Sequence, residues 1–215
     1  MSDNIYNNEN FCLAISSPSG AGKSTICKEI INKFDNFKMS ISATTRPPRL
    51  GETNGKEYFF LEKNDFELKI KNQYFIEYAE VFNNLYGTPY NFVNSTLQSG
   101  YNVLFDIDYQ GVEKIYKYLQ NQTNYTNQST FKFVTIFILP PSVSELKTRL
   151  FKRGLDNIEV INNRIQKASF EIMQSKIYNY SVINDNLQDC IQDVFLIIQS
   201  EIIKHRKYNL SKIIE

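Results

Sequence analysis

Apolar and polar positions follow two different periods along the chain. Five short apolar runs have the length of buried strands, and segments with an apolar residue every three or four positions follow several of them. The expected strands are Phe11–Ile15, Met39–Ser42, Val103–Ile107, Phe133–Leu139 and Tyr180–Ile183. The expected helices are Ser24–Phe34, Gly111–Leu119, Ser144–Lys152, Val160–Tyr178 and Leu187–Tyr208. Short apolar strands joined by helices predict an α/β fold, in which helices cover both faces of a mostly parallel sheet.

Three segments depart from this pattern. Between Thr44 and Phe92 the chain is rich in Arg, Pro, Gly, Asn and Tyr, with short strand-like pieces. This composition predicts a mixed insert outside the main sheet. Asn121–Thr130 is polar and is expected to be a mobile loop. Residues 1–10 lack the basic start and the apolar stretch of a signal peptide, so we expect a disordered tail.

Composition narrows the class of protein. The chain has 215 residues and a formal net charge of +1, which gives no electrostatic basis for non-specific nucleic-acid binding. No apolar run approaches the ~20 residues that a membrane span needs. Cys12, Cys27 and Cys190 are odd in number and lie in apolar patterns, so we expect buried thiols in a reducing, cytoplasmic compartment. The basic run 204–207 is expected to be a solvated helix end.

A glycine-bearing segment after the first expected strand carries the clearest chemistry. It is Ser17-Pro18-Ser19-Gly20-Ala21-Gly22-Lys23-Ser24-Thr25, hereafter the phosphate loop. Backbone N–H groups of such a loop bind phosphate oxygens, and the following helix N-terminus adds its positive dipole end. Lys23 is expected to reach the terminal phosphates and Ser24 to ligate Mg²⁺. Ser17 stands where the full pattern has Gly, which is compatible if no positive φ is needed there.

Arginines placed singly suggest what the bound nucleotide is used for. Arg46 and Arg49 lie in the insert, and Arg149, Arg153 and Arg164 lie late in the chain. Guanidinium groups bind phosphate oxygens through paired, charge-assisted hydrogen bonds, so two sets of arginines indicate two phosphate groups brought together. A phosphate acceptor is already anionic at neutral pH and needs no general base, which agrees with a chain whose only histidine lies far along the last helix. These features favour phosphoryl transfer over hydrolysis.

Several motifs in a fixed order resemble the guanylate kinase family of nucleoside monophosphate kinases, from about residue 11 to about residue 204. The motifs after the phosphate loop are Ser42–Glu52, Asn54–Phe60, Phe75–Val81, Asn84–Thr88, Asp106–Gly111, Pro140–Ser142 and Arg149–Gly154. The resemblance implies transfer of the γ-phosphoryl group of ATP to GMP, with dGMP as a second acceptor and Mg²⁺ as cofactor. It implies a P-loop core formed by residues 11–40, 101–143 and 166–208, a GMP-binding insert at 41–100, a mobile lid at 144–165 and a tail at 209–215.

The resemblance also implies a set of site residues. GMP phosphate would be held by Arg46, Arg49, Tyr58 and Tyr86, and guanine by Ser42, Glu77, Thr88 and Asp108. ATP would be bound by the phosphate loop, Arg149 and Asn184, with Mg²⁺ held by Ser24 and, through water, by Asp106. The groups implied to act on the transferred phosphoryl are Lys23, Arg46, Arg153 and Arg164.

Hydrogen-bond chemistry supports one of these roles independently. A carboxylate such as that of Glu77 accepts bonds from both guanine N1–H and the 2-amino group, whereas adenine presents a lone pair at N1. A site built this way rejects the analogue by ~10⁴-fold or more. Without the surrounding motifs, the preferred interpretation of Glu77 would be a solvated strand residue, and that of Tyr58 and Tyr86 core aromatics. Asn83 stands where the family usually has Gly, and Leu155 where it has Thr or Arg.

A rival hypothesis is a guanylate-kinase-like module that binds protein ligands and performs no phosphoryl transfer. Such modules typically lose the phosphate loop, whereas this chain keeps Gly22-Lys23-Ser24 together with Arg153 and Arg164. We therefore expect an enzyme whose partners are ATP and GMP, acting as a monomer or small homo-oligomer.

Overall fold

Eleven strands and eight α-helices are present in the computed structural model, which describes residues 5–81, 83–126, 131–154 and 157–214. The strands are β1 Tyr6–Asn8, β2 Phe11–Ser16, β3 Phe37–Met39, β4 Ala43–Thr44, β5 Phe59–Phe60, β6 Phe75–Val81, β7 Asn84–Pro89, β8 Asn102–Asp106, β9 Lys132–Leu139, β10 Tyr180–Ile183 and β11 Arg206–Tyr208. The helices are α1 Lys23–Lys33, α2 Lys63–Lys71, α3 Tyr90–Gln98, α4 Tyr109–Thr126, α5 Val143–Arg153, α6 Ile158–Met173, α7 Leu187–Lys204 and α8 Ser211–Ile214. A 3₁₀-helix at Gln174–Ile177 follows α6.

A five-stranded parallel sheet forms the centre, in the order β10-β9-β2-β8-β3. Every residue of β2 is buried, and its side chains point alternately to the two faces. Leu13 and Ile15 pack against α1 and α7, while Cys12 and Ala14 pack against α3 and α4. Because the strands are parallel, β2, β8 and β9 end at one edge, where the phosphate loop begins. The predicted α/β fold with helices on both faces is confirmed.

A second sheet lies within the segment 43–89, in the order β5-β4-β7-β6, with parallel and antiparallel pairs. Its core is the stacked pair Phe66 and Phe75, with ring centroids 4.4 Å apart. Gly87 in β7 lies under these rings, and a Cβ there would come within 3.0–3.1 Å of both and of the Glu77 carbonyl. Glycine is therefore the residue that lets the strand pass close to the aromatic core.

Several of the expected element boundaries were wrong. The strand expected at Met39–Ser42 is β3, which ends at Met39, because the chain then crosses to the second sheet, where the Ser42 carbonyl accepts from Phe59 N. The loop expected at Asn121–Thr130 is helical through Thr126, where α4 ends, and residues 127–130 lie outside the described part of the chain. The helix expected at Val160–Tyr178 is α6, which ends at Met173, before the 3₁₀ turn.

The two chain ends also differ from expectation. β1 pairs antiparallel with β11, so residues 6–8 are ordered by the far end of the chain, and the last long helix ends at Lys204 instead of Tyr208. The basic run is a helix end only at its start: α7 ends at Lys204, His205 is the C-cap, and Arg206 and Lys207 belong to β11. The His205 ring packs on Phe11 at 5.2 Å, and Lys207 forms an ion pair with Glu9. The predicted tail at 209–215 contains the short helix α8.

Candidate active site

The phosphate loop joins the buried strand β2 to α1. Gly20 and Gly22 have φ of 94° and 99°, a left-handed conformation that favours glycine. Ser17 does not adopt this left-handed conformation. Among the described residues, the non-glycine residues with positive φ are Gln73 and Asn83. Because this position does not need a positive φ, serine can replace glycine there. Gly22 caps α1 without a side-chain hydrogen bond, which leaves the first N–H groups of the helix for a ligand.

Asn83 is a second position at which this chain departs from the family pattern. Its φ is 61°, in the left-handed region where glycine is the usual residue. Asn is among the few other residues that adopt this conformation routinely, because its short polar side chain can form local hydrogen bonds. The substitution of Gly by Asn before Asn84 therefore keeps the turn. Leu155 lies outside the described residues.

Lys23 lies at the end of the loop with its ammonium group directed to the neighbouring strand end. Its Nζ is 2.5 Å from Asp106 Oδ1 and 3.4 Å from the Ile107 carbonyl, which also accepts from Ser16 Oγ at 2.7 Å. The side chains of Lys23 and Asp106 are only partly exposed. The Asp106 carboxylate holds Lys23 at the floor of the site. A bound polyphosphate can replace this carboxylate as the partner of Lys23.

Two cavities open at this edge of the sheet. The phosphate-loop cavity, of about 460 Å³, is lined by the loop except Ala21, and by Asp108, Arg153 and Glu171. The insert cavity, of about 760 Å³, lies between the second sheet and α6. Among its lining residues are Ser42, Tyr58, Glu77, Tyr86, Asp106, Asp108, Lys167, Phe170 and Glu171. Asp108 and Glu171 line both, so the two cavities meet there.

Glu77 on β6 is the partly buried acid of the insert cavity. Its Oε1 accepts a hydrogen bond from Thr88 Oγ1 at 2.8 Å, and Thr88 itself is fully buried on β7. Burial raises the pKa of Glu77, and the nearby Asp108 carboxylate raises it further. Glu77 also lines the cavity, so the site offers a desolvated acceptor to a ligand with paired N–H donors.

Arg46 is held beside the two tyrosines of the same cavity. Its two terminal nitrogens each donate to one oxygen of Glu52 at 2.9 Å, and Nη1 also donates to the Pro47 carbonyl. The guanidinium lies 5.4 Å from the Tyr58 ring, and that ring is 5.9 Å from Tyr86. The Arg46 guanidinium holds the pKa of Glu52 below its usual value. Glu52 therefore orients Arg46 beside Tyr58 and Tyr86.

Helices α5 and α6 cover the phosphate loop. Leu146 and Ala168 pack on Ala21, and a Cβ on Gly20 would touch Leu150 at 3.0 Å. Arg164 Nη1 donates to Ser19 Oγ at 2.7 Å. The two helices thus place one arginine on the loop and a second, Arg153, in its cavity.

Most of the residues predicted for the site lie together. Those in or directly against the two cavities are Ser17–Gly20, Gly22–Thr25, Ser42, Arg46, Tyr58, Glu77, Tyr86, Thr88, Asp106, Asp108, Arg153 and Arg164. Arg49 lies on the exposed part of its loop, where its backbone N–H donates to Glu52. Arg149 bonds Glu145 and the Asp185 carbonyl. Asn184 is buried behind the phosphate loop.

Two acidic residues at the site were not predicted. Glu52 is the last residue of the Ser42–Glu52 motif. It lies three residues after Arg49, whose backbone N–H donates to the Glu52 carboxylate, and this spacing could have indicated a turn. Glu171 lies seven residues after Arg164, hence two turns further along the same face of α6, which was the available signal. Burial and Asp108 raise the pKa of Glu171.

The parallel sheet, the phosphate loop and the two joined cavities define a P-loop nucleotide-binding α/β protein. A family model described as guanylate kinase matches residues 10–201. The guanylate kinase of Rickettsia prowazekii (strain Madrid E) is 41% identical over 204 residues, which cover 95% of this chain and 98% of that protein. That of Clostridium perfringens (strain SM101 / Type A) is 43% identical over 195 residues, covering 91% and 85%. The chain belongs to the guanylate kinase family.

A solved structure agrees with this assignment. The crystal structure of guanylate kinase from Anaplasma phagocytophilum matches with a TM-score of 0.65 and 29% sequence identity, over 93% of this chain and 89% of that one. The relatives are similar over nearly their whole length, and they support the enzymatic hypothesis over the non-catalytic binding module. Among the described residues, no helix is long and apolar enough to cross a membrane.

Proposed function

We propose that this protein transfers the γ-phosphoryl group of ATP to GMP, and to dGMP as a second acceptor. The observation that carries the proposal is the meeting of two cavities at Asp108 and Glu171. One is built from a phosphate loop, and the other from a partly buried carboxylate, two phenols and an oriented arginine. Two anionic substrates can therefore bind end to end, which is the arrangement that phosphoryl transfer needs.

The donor side takes the triphosphate of ATP. The loop N–H groups and Lys23 bind the phosphate oxygens, and Lys23 leaves its ion pair with Asp106 to do so. Ser24 and Asp106 are oxygen donors near the loop, and a small hard cation that keeps several waters fits this donor set. We assign Mg²⁺ to them, Ser24 directly and Asp106 through water. When bound, the ion neutralises charge on the transferred phosphoryl group.

The acceptor side recognises both ends of GMP. Glu77, held by Thr88, accepts from guanine N1–H and the 2-amino group, with Ser42 and Asp108 at the edge of the base. Tyr58, Tyr86 and Arg46 bind the acceptor phosphate, and Arg49 reaches it from the exposed loop. Adenine would leave the desolvated Glu77 carboxylate against a lone pair, which gives the site its preference for guanine.

Alignment and charge account for the transfer step. The acceptor phosphate is already an anion, so the residues of the site hold the two phosphates in line and offset the charge that spreads over the transferred group. Lys23, Arg46, Arg153 and Arg164 supply that positive charge. Arg164 already bonds the loop at Ser19, and Arg153 lines the loop cavity.

A coupled assay of ADP formation from Mg-ATP tests the proposal directly. GMP, AMP, CMP and UMP are compared as acceptors at equal concentrations, with the Lys23→Ala variant as the inactive control. Of the four acceptors, we expect only GMP to give rapid ADP release. Equal rates with all four acceptors, or rates unchanged in Lys23→Ala, would overturn the assignment.

A further inference from the structure

Asn184 connects the end of the last parallel strand to the back of the phosphate loop. It follows β10 directly and is 3% exposed. Its backbone N–H donates to the Leu139 carbonyl at 2.8 Å, and its side-chain Nδ2 donates to the Ala21 carbonyl at 2.7 Å. The second bond joins residues 163 positions apart, and both partners are buried. The side chain is therefore fixed by the fold and directed at the loop backbone.

The loop is shaped to accept this contact. Gly22 has a φ of 99°, and a Cβ on it would lie 2.5 Å from Asn184 Nδ2. The Ala21 side chain is buried against Leu146 and Ala168 of the covering helices, so the residue is held on both sides. Glycine at 22 thus serves two needs at once, the left-handed turn and the close approach of the Asn184 amide.

The geometry of the peptide bond links this contact to phosphate binding. In a trans peptide the C=O of one residue and the N–H of the next point in opposite directions. Since the Ala21 carbonyl points back to Asn184, the Gly22 N–H points away from it. Gly22 lines the phosphate-loop cavity, whereas Asn184 is absent from its described lining. We propose that Asn184 is a positioning residue, which orients the Ala21–Gly22 peptide so that the Gly22 N–H donates to a bound phosphate.

This role differs from the nucleotide contact that the family resemblance implies for Asn184. It rests on the proposed function, because it takes the loop to be a polyphosphate site. The two roles predict different ligand dependence. A contact with the adenosine part of ATP matters only when that part is present, whereas an oriented peptide matters for any ligand that brings a phosphate chain.

The Asn184→Asp variant tests the proposal with little change of shape. Ionised aspartate cannot donate to the Ala21 carbonyl, and its charge repels that oxygen, so the peptide loses its fixed orientation. Dissociation constants would be measured by calorimetry for the magnesium complexes of tripolyphosphate, ATP and inosine triphosphate. We expect all three to rise by a similar factor of about tenfold or more. The dissociation constant for GMP should stay within about twofold, since the acceptor site is separate.

Controls separate this role from loss of folding and from failure of the proposed function. Ile183→Ala changes an exposed neighbour, 58% exposed, and should leave all constants unchanged. Retained GMP binding shows that Asn184→Asp is folded. A loss confined to ATP, with tripolyphosphate unaffected, would overturn the positioning role. If the wild-type protein failed to bind tripolyphosphate, the phosphate-loop function itself would be refuted.

A measurement on the wild-type protein keeps the proposal open to refutation if the variant does not fold. The side-chain amide of Asn184 gives its own signals in a ¹⁵N NMR spectrum, and a coupling across the hydrogen bond to the Ala21 carbonyl carbon should be detectable. Tripolyphosphate should shift the Gly22 amide signal as strongly as ATP does. Absence of the coupling, or a shift of the Asn184 side chain by ATP alone, would contradict the proposed role.

Discussion

Replacing Glu77 by glutamine separates recognition of the guanine base from recognition of the phosphate. Glu77 Oε1 accepts from Thr88 Oγ1 at 2.8 Å, and Glu77 lines the insert cavity. Glutamine keeps the shape but has one acceptor and one donor group. If its oxygen stays on Thr88, its NH₂ group meets the guanine donors. If the side-chain amide is flipped by 180°, the Thr88 hydroxyl can accept from its NH₂ group, and its oxygen keeps one bond to guanine.

The magnitude follows from these two orientations. One of two charge-assisted bonds to guanine is lost and the other becomes neutral, which costs roughly 2–4 kcal/mol of transition-state binding. At about 1.4 kcal/mol per factor of ten, kcat/KM for GMP should fall by roughly 30- to 1,000-fold. The same change helps AMP, because the glutamine NH₂ can donate to adenine N1. The ratio of kcat/KM for GMP to kcat/KM for AMP therefore falls, because the first value decreases and the second increases.

Steady-state kinetics with both nucleotides check this prediction. We would measure kcat/KM for GMP and for AMP in the wild type, in Glu77→Gln and in Arg49→Ala. Arginine 49 is predicted to contact a phosphate that every nucleoside monophosphate carries, so Arg49→Ala should lower both values and leave their ratio roughly unchanged. A Glu77→Gln variant that kept the full preference for GMP would show that Glu77 does not recognise the base.

Three further predictions concern the donor, the pH profile and closure. Lys23→Ala should lower kcat by ~10² or more while the thermal midpoint shows a folded protein; near-wild-type turnover would contradict the role of Lys23. Because burial raises the pKa of Glu77, kcat/KM for GMP should fall as the pH is lowered through that pKa, and a Glu77→Gln profile without this step is the check. The radius of gyration from small-angle scattering should decrease when both nucleotides bind, and an unchanged value at saturation would count against closure of insert and lid.

The parts of the site that could be predicted from sequence are those fixed by neighbouring residues. The phosphate loop follows a buried apolar strand, and Gly20 and Gly22 take the left-handed conformations that other residues avoid. Ser17 and Asn83 were two of the three visible departures, and each adopts a backbone conformation open to its residue type. Local chemistry of this kind requires no knowledge of the rest of the fold.

The parts that could not be predicted depend on contacts between distant residues. Three polar residues at each chain end form β1 and β11 because they pair with each other, and neither segment has an apolar pattern of its own. The last turns of α4 are polar, and composition alone suggested a loop there, although no proline or glycine interrupts the helix after Gly111. The hydrogen bond from Asn184 to Ala21 spans 163 positions and has no local signal at all.

Helix α6 sets a constraint on how the site can close. The lid was predicted to end at residue 165, but α6 runs without interruption from Ile158 to Met173. It carries Arg164 on the phosphate loop, Ala168 against Ala21 and Glu171 at the junction of the two cavities. A helix bends sharply only at proline, at glycine–serine pairs, at π-bulges or where a group enters its hydrogen-bond ladder, and α6 contains neither proline nor glycine. Motion of the predicted lid would therefore move Glu171 together with Arg164, so that closure over the donor also changes the wall of the acceptor cavity.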